Sequence, residues 1–294
     1  MPQIIKTMNS MFGNKYLGIT FAALLILAAF FMKLPQVFKN TNYNLFREGL
    51  KQKALWTTRS MDTLKGEHFN VRFTPGNEED AKLVLAAAEK FYTPIAEKYG
   101  YTGKGKIPII VYPSRLELNR NFGWEANESA MGVYWAGVIR VLSPNVWLSE
   151  EDLDKYREEF MQSGPMAHEF THLVVDYKTA GNYTRWFTEG IAQYEEYKLT
   201  GFEFDDKQAS LKQPLYTLDE MDAYFDNLPN QPLAYRQSYL AVRYIAEVYG
   251  EDSLKRILES LASGNKMEDA LVMVLNNEMV DFEGNYKNWA KEQE

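Results

Sequence analysis

The chain has 294 residues, enough to bury the core of one or two domains. It has no cysteine, which excludes disulfides, thiolate metal ligands and a cysteine nucleophile. Net charge is −8; residues 1–40 hold only the bases Lys6, Lys15, Lys33 and Lys39, and the 32 bases less these four leave 28 against 40 acids, which speaks against nucleic acid as the main partner.

Residues 16–32 (YLGITFAALLILAAFFM) carry no charge and no proline. At about 1.5 Å per residue they reach roughly 26 Å, near the short limit for crossing a bilayer. A cleavable signal peptide is the rival, but it needs a small-x-small site after the apolar core, and Phe30, Phe31, Met32, Lys33 and Leu34 stand there. The reading taken is an uncleaved transmembrane anchor over 16–32 behind a tail of residues 1–15. Charge leaves its orientation open: Lys6 and Lys15 precede the span, and Lys33, Lys39 and Arg47 follow it.

Residues 33–65 read as a juxtamembrane connector. A turn is expected at Asn40-Thr41-Asn42, and an amphipathic helix over 43–61 with Leu45, Leu50, Leu55 and Trp56 on one side. The pattern then predicts a strand at 68–73 (HFNVRF), ended by TPGN, and a helix over 78–99 closed by Gly100. An interior strand follows at 106–112 (KIPIIVY), then a helix from Pro113-Ser114 to about 121. Residues 131–142 form a third strand, or a hairpin turning at Ala136-Gly137. Ser149 is placed to cap a helix whose first turn holds Glu150, Glu151 and Asp152. Gly164-Pro165 breaks the chain, and Pro165 begins the next helix, to about 177. Helices are then expected over 185–199 (stopped by Gly201), 215–225, 232–249, 252–261, 267–275 and 281–291. The fold class is α+β, mixed at first and helical after residue 177.

The helix begun by Pro165 carries His168-Glu169-Phe170-Thr171-His172, with two of the chain's three histidines. On a helix, i and i+4 share one face, so two imidazoles can hold one Zn²⁺ with Glu169 beside it as a general base. The competing reading is a surface helix that spells the pattern by chance. Zinc in a hydrolase needs a third protein ligand and an open position for water. With no cysteine and only His68 left over, that ligand is a carboxylate. The best candidate is Glu189 in Trp186-Phe187-Thr188-Glu189-Gly190-Ile191-Ala192, seventeen residues on and in an apolar setting. The alternative is that Glu189 is solvated, like Glu195 or Glu196. His68, in the first strand, reads as structural.

H-E-x-x-H followed by a W-x-x-E-G-x-A helix resembles the gluzincin metallopeptidases, specifically the peptidase-MA-like domain, over roughly residues 66–290, within a domain expected over 66–294. The resemblance implies a small mixed-sheet lobe (about 66–177), a helical C-terminal lobe (about 178–294) and zinc in the cleft between them. It also implies an N-terminal anchor with the N-terminus cytoplasmic and the catalytic domain extracytoplasmic. The implied chemistry is hydrolysis of a peptide or protein substrate with one zinc on His168, His172 and Glu189 and with Glu169 as base. Many relatives stabilise the oxyanion with histidine or tyrosine. No histidine follows His172, so tyrosine is expected here, and the resemblance implies Tyr235 and Tyr239, which sit one turn apart in the helix where the family places such a group; packing tyrosines are the alternative for both. Asp176, four residues after His172, either orients a ligand imidazole or caps the helix end in solvent. Gly132, Val133, Tyr134 and Trp135 are either a sheet edge that pairs with extended substrate or an ordinary buried strand. Two other functions compete: a non-catalytic binding module on a peptidase scaffold, and a zinc hydrolase of a non-peptide bond.

Overall fold

The computed structural model describes residues 36–120, 122, 130–203 and 207–293. The expected tail and membrane anchor lie outside the described residues. Among the described residues no helix is long and apolar enough to cross a membrane. A division falls between Tyr43 and Asn44, and the tertiary contacts below belong to the unit Asn44–Glu294.

Helix α1 (Gln36–Thr57) runs straight through Asn40-Thr41-Asn42, so the expected turn is absent. Asparagine and threonine are modest helix formers, but no glycine or proline interrupts residues 36–48. Among the described residues five strands form one sheet: β1 (Asp62–Lys65), β2 (Phe69–Phe73), β3 (Ile107–Tyr112), β4 (Gly132–Trp135) and β5 (Val138–Leu142). Their order is β1-β2-β3-β5-β4. The two inner pairings, β2 with β3 and β3 with β5, are parallel, and both outer ones are antiparallel. The sheet thus begins at Asp62, inside the stretch read as connector.

Helix α2 (Glu78–Tyr99) makes the crossover from β2 to β3 and ends on Gly100, whose φ of 65° suits a residue without Cβ. β3 is buried along its whole length, as its unbroken apolar run requires. Ile109 and Val111 join the main core, with Phe91 and Ile95 of α2. Ile110 and Tyr112 point the other way, into a smaller cluster with Ala54 of α1. Arg72 of β2 donates to Thr58 Oγ1 at 2.8 Å and to the Leu55 carbonyl. Ala54, Leu55 and Thr58 thus tie the end of α1 to the sheet, and β1 joins it, within the stretch read as connector.

β4 and β5 are a hairpin, which decides between the two readings of 131–142. Ala136 (φ 49°) and Gly137 (φ 79°) supply the two left-handed residues that a two-residue turn needs. After the short helix α3 (Arg115–Arg120), helix α4 (Leu153–Ser163) starts later than expected. Its cap is Asp152, which accepts from the Asp154 and Lys155 amides, and not Ser149. A carboxylate satisfies the free amides and also the positive end of the helix.

The remaining helices are α5 (Met166–Thr179), α6 (Arg185–Thr200), α7 (Leu218–Ala223), α8 (Gln231–Tyr249), α9 (Asp252–Ala262), α10 (Met267–Leu275) and α11 (Met279–Lys291). α7 is shorter than its apolar pattern because Thr217 and Glu220 close a capping box at its start. The architecture is a small mixed sheet followed by a helical region, as the α+β reading expects.

Candidate active site

Helix α5 begins directly after Pro165 and ends at Ala180, which adopts φ 52°. A short turn leads into α6, and Gly190 explains how closely α6 packs on α8. A Cβ at Gly190 would lie 2.2 Å from the Ser238 carbonyl oxygen and 2.5 Å from Val242 Cγ2. The E-G pair in the second motif thus joins the candidate ligand Glu189 to the one residue type that permits the packing.

The structure brings His168, His172 and Glu189 together. The Nε2 atoms of the two histidines are 3.1 Å apart, and each lies 3.5 Å from Glu189 Oε2. One ligand atom from each of the three residues falls within 4.8 Å of the others, a spacing that fits one metal ion. The other nitrogen of each ring is engaged elsewhere. His172 Nδ1 meets Thr188 Oγ1 at 2.8 Å, and His168 Nδ1 meets Glu196 Oε2 at 3.2 Å. The second oxygen of Glu189 takes Arg185 Nη1 at 2.6 Å. Three atoms converge while their partner atoms are tied back, so the donor set is oriented before any ion arrives.

The electrostatics agree. Burial opposes charge on Glu189, but His172 and Arg185 outweigh it and hold the carboxyl well below the usual range. Burial likewise opposes charge on His168, yet Glu189 and Glu196 hold the imidazole well above its ordinary value. Carboxylates thus surround two imidazoles in a water-poor site, an environment that attracts a cation.

Glu169 is buried beside the triplet. Burial pushes its carboxyl up, and His168 and His172 partly oppose this. Its Oε2 accepts the Tyr134 amide of β4 at 2.5 Å. Gly132 explains how close the strand comes, since a Cβ there would lie 2.8 Å from Glu169 Cγ and from Pro165 Cβ. β4 is an edge strand, as one of its two readings expects. Leu142 donates to the Met131 carbonyl, so the pairing alternates and the main-chain groups of Gly132 and Tyr134 face the open side. Val133 and Trp135 pair inward with Arg140 and Val138, and the Trp135 side chain is exposed.

The two tyrosines separate. Tyr235 feels Glu189 most strongly and Glu169 as well; that charge, with burial, pushes its hydroxyl well above the ordinary value. Tyr239 lies against Tyr197, and burial and Glu203 push it up to about 12. Its electrostatic neighbours are Glu203 and Arg243, not the ligand carboxylate.

Asp176 fits neither of its two readings. It is 1% exposed, so it is no solvent cap, and both ring nitrogens of each histidine are engaged by other groups. It pairs instead with Arg47 and with the Tyr134 hydroxyl. The solvated reading offered for Glu195 and Glu196 also fails: Glu195 accepts from Lys98 and Tyr99, and Glu196 meets His168. His68 stands apart from the site, paired with Glu89 at 2.7 Å and stacked on Tyr92. Arg185, Thr188 and Glu196 were missed in the sequence, although their positions relative to Glu189 (−4, −1 and +7) placed two of them on its helix face.

The Peptidase MA superfamily model matches residues 158–292, from within α4 to the end of α11. The match covers a little under half of the chain; over that stretch the chain is similar to this superfamily, which supports a peptidase-MA-like domain. No curated protein matches the sequence. Similar solved structures include the M1 zinc metallopeptidase of Deinococcus radiodurans as a point mutant, at 13% identity and a TM-score of 0.40 over 76% of this chain. The same mutant bound to a Tyr-Ser-Ala substrate aligns at 13% identity and a TM-score of 0.38 over 78% of this chain. The alignment spans 50% of the length of each of these structures.

Proposed function

We propose that this chain is a zinc metallopeptidase that hydrolyses peptide bonds, held at a membrane by residues 16–32 with its catalytic domain extracytoplasmic. The observation that carries the catalytic part is the convergence of His168, His172 and Glu189 with Glu169 buried beside them. The membrane part rests on the uncharged run at 16–32.

His168, His172 and Glu189 would hold one zinc ion, which polarises a carbonyl and acidifies bound water. Glu169 is held against β4 through Oε2, which leaves Oε1 to accept the proton of the attacking water and pass it to the leaving amine. Its raised pKa suits a group that must both take and return a proton. Tyr235 keeps its proton at neutral pH and donates a hydrogen bond to the developing oxyanion. The open groups of Gly132 and the Tyr134 carbonyl pair with the main chain of an extended peptide.

The test compares zinc content and hydrolysis of a peptide library for the wild type, Glu169→Gln and His168→Ala. One zinc per chain is expected in the wild type and in Glu169→Gln, and loss of zinc in His168→Ala. Glu169→Gln should lose at least ~100-fold in kcat. Full activity in that variant would remove Glu169 from the mechanism. A zinc-loaded wild type that cleaves no peptide would redirect the assignment to a non-peptide bond or a binding module.

A further inference from the structure

Arg47 lies on α1, ahead of the stretch that matches the family, yet it ends in the middle of the molecule. Arg47 is 7% exposed and Asp176 is 1% exposed. Nη1 donates to Asp176 Oδ2 at 3.0 Å and to the Asp176 main-chain oxygen at 3.2 Å. Nη2 donates to Asn44 Oδ1 at 2.7 Å, and the guanidinium lies 3.6 Å from the Tyr177 ring centre. The same Asp176 oxygen accepts the Tyr134 hydroxyl at 2.5 Å. That hydroxyl in turn accepts the Gly137 amide at 3.0 Å, at the tip of the β4–β5 turn. The main-chain amide of Tyr134 is the one that holds Glu169.

We propose that Arg47 is a positioning residue for the catalytic strand: through Asp176 and the Tyr134 hydroxyl it fixes β4, and thereby the amide that orients Glu169. The proposal rests on the peptidase reading for its effect on turnover, but not for its effect on β4.

Three observations support a positioning role over simple packing. Tyr134 is bound at both ends, by its hydroxyl to Asp176 and by its amide to Glu169, so tension on one end is felt at the other. β4 is four residues long and, among the described residues, pairs with one strand, so its placement depends on its side-chain and main-chain ties to helix α5. Arg47 and Asp176 are both buried, so any arrangement that separates them strands an uncompensated charge. Helix α1 is thereby made part of the site's geometry, although it carries no catalytic group.

The test uses the full chain. Amide hydrogen exchange over residues 131–137 is compared among the wild type, Arg47→Ala, Arg47→Lys, Tyr134→Phe and, as control, Lys53→Ala on the exposed face of α1. Arg47→Ala and Tyr134→Phe are expected to speed exchange of the hairpin at least tenfold while α8 stays protected, with Arg47→Lys in between and Lys53→Ala unchanged. Zinc affinity should stay within about twofold of wild type in every variant. With a peptide substrate, Arg47→Ala and Tyr134→Phe should raise KM and lower kcat together, by about tenfold in kcat/KM or more. Unchanged hairpin exchange in a folded Arg47→Ala overturns the proposal, as does an increase spread evenly over the whole chain. If Arg47→Ala does not fold, Tyr134→Phe decides by the same measurement. If the wild type cleaves no peptide, the functional reading fails, and the exchange experiment still judges the role of Arg47.

Discussion

Arg185 shows how the candidate site depends on a group outside the His168, His172 and Glu189 triplet. It gives Nη1 to Glu189 Oε1, Nη2 to Asp226 Oδ1 at 3.3 Å, and lies over the Phe225 ring. Glu189 therefore presents one oxygen only. In Arg185→Met, Glu189 keeps its place but loses the charge that holds its carboxyl low, and the freed oxygen is buried. Zinc affinity should fall by roughly 10–100-fold with the fold retained, measured by competition with a chelator of known affinity. His168, Glu169 and His172 were legible in the sequence because a helix converts their spacing into a shared face. Glu189 was legible because an acid in an apolar helix needs a partner. Asp176 and Tyr134 were picked out in other roles, but the chain that joins them to Arg47 was not legible, because its hydrogen bonds join residues 42 and 129 positions apart, and no local pattern records such pairings.

At the scale of elements, one glycine carries much of the arrangement. Gly190→Ala puts a methyl group against the main chain of α8, which cannot rotate away as a side chain would. A loss of about 1–3 kcal/mol is expected, seen as a fall of several degrees in Tm, together with weaker zinc binding as Glu189 shifts. If Gly190→Ala is as stable as the wild type, the close approach of α6 and α8 is not as described. Periodicity gave most helices to within a few residues, and α10 over 267–275 as observed. It failed where capping decided the boundary, at Asp152 and Thr217. It also failed on α1, whose inward side presents Arg47 and Ala54. The exposed Leu45 and Trp56 drew the eye to the other face.

Across the whole molecule, Glu251 ties separate helices together. It meets Lys98 of α2 at 2.8 Å, Lys198 of α6, and the Tyr194 hydroxyl at 3.0 Å, just before α9. Burial acts against its charge, but the two lysines bring its pKa from about 4.5 down to about 2. A depressed carboxyl stabilises the fold above its unfolded pKa and loses that contribution as pH falls through the folded one. Stability measured by denaturant titration should thus decline between about pH 4.5 and pH 2, and Glu251→Gln should flatten that decline. The side chain is 40% exposed, so salt should weaken the effect. An identical acid limb in Glu251→Gln would show that the triad of charges does not contribute.

The hydrogen bond from Tyr134 to Glu169 also bears on solubility. An edge strand with a row of free amides and carbonyls is a template on which another copy of a chain can build, and proteins usually defend such edges. Here the Tyr134 amide on the open side of β4 is consumed within the molecule. A second chain pairing along β4 would meet a carbonyl at Tyr134 without its matching donor, and a buried carboxylate behind it. An amide already paired within the molecule interrupts the ladder such a second chain would need, so the contact that ties Glu169 to β4 also makes this edge a poorer template for self-association.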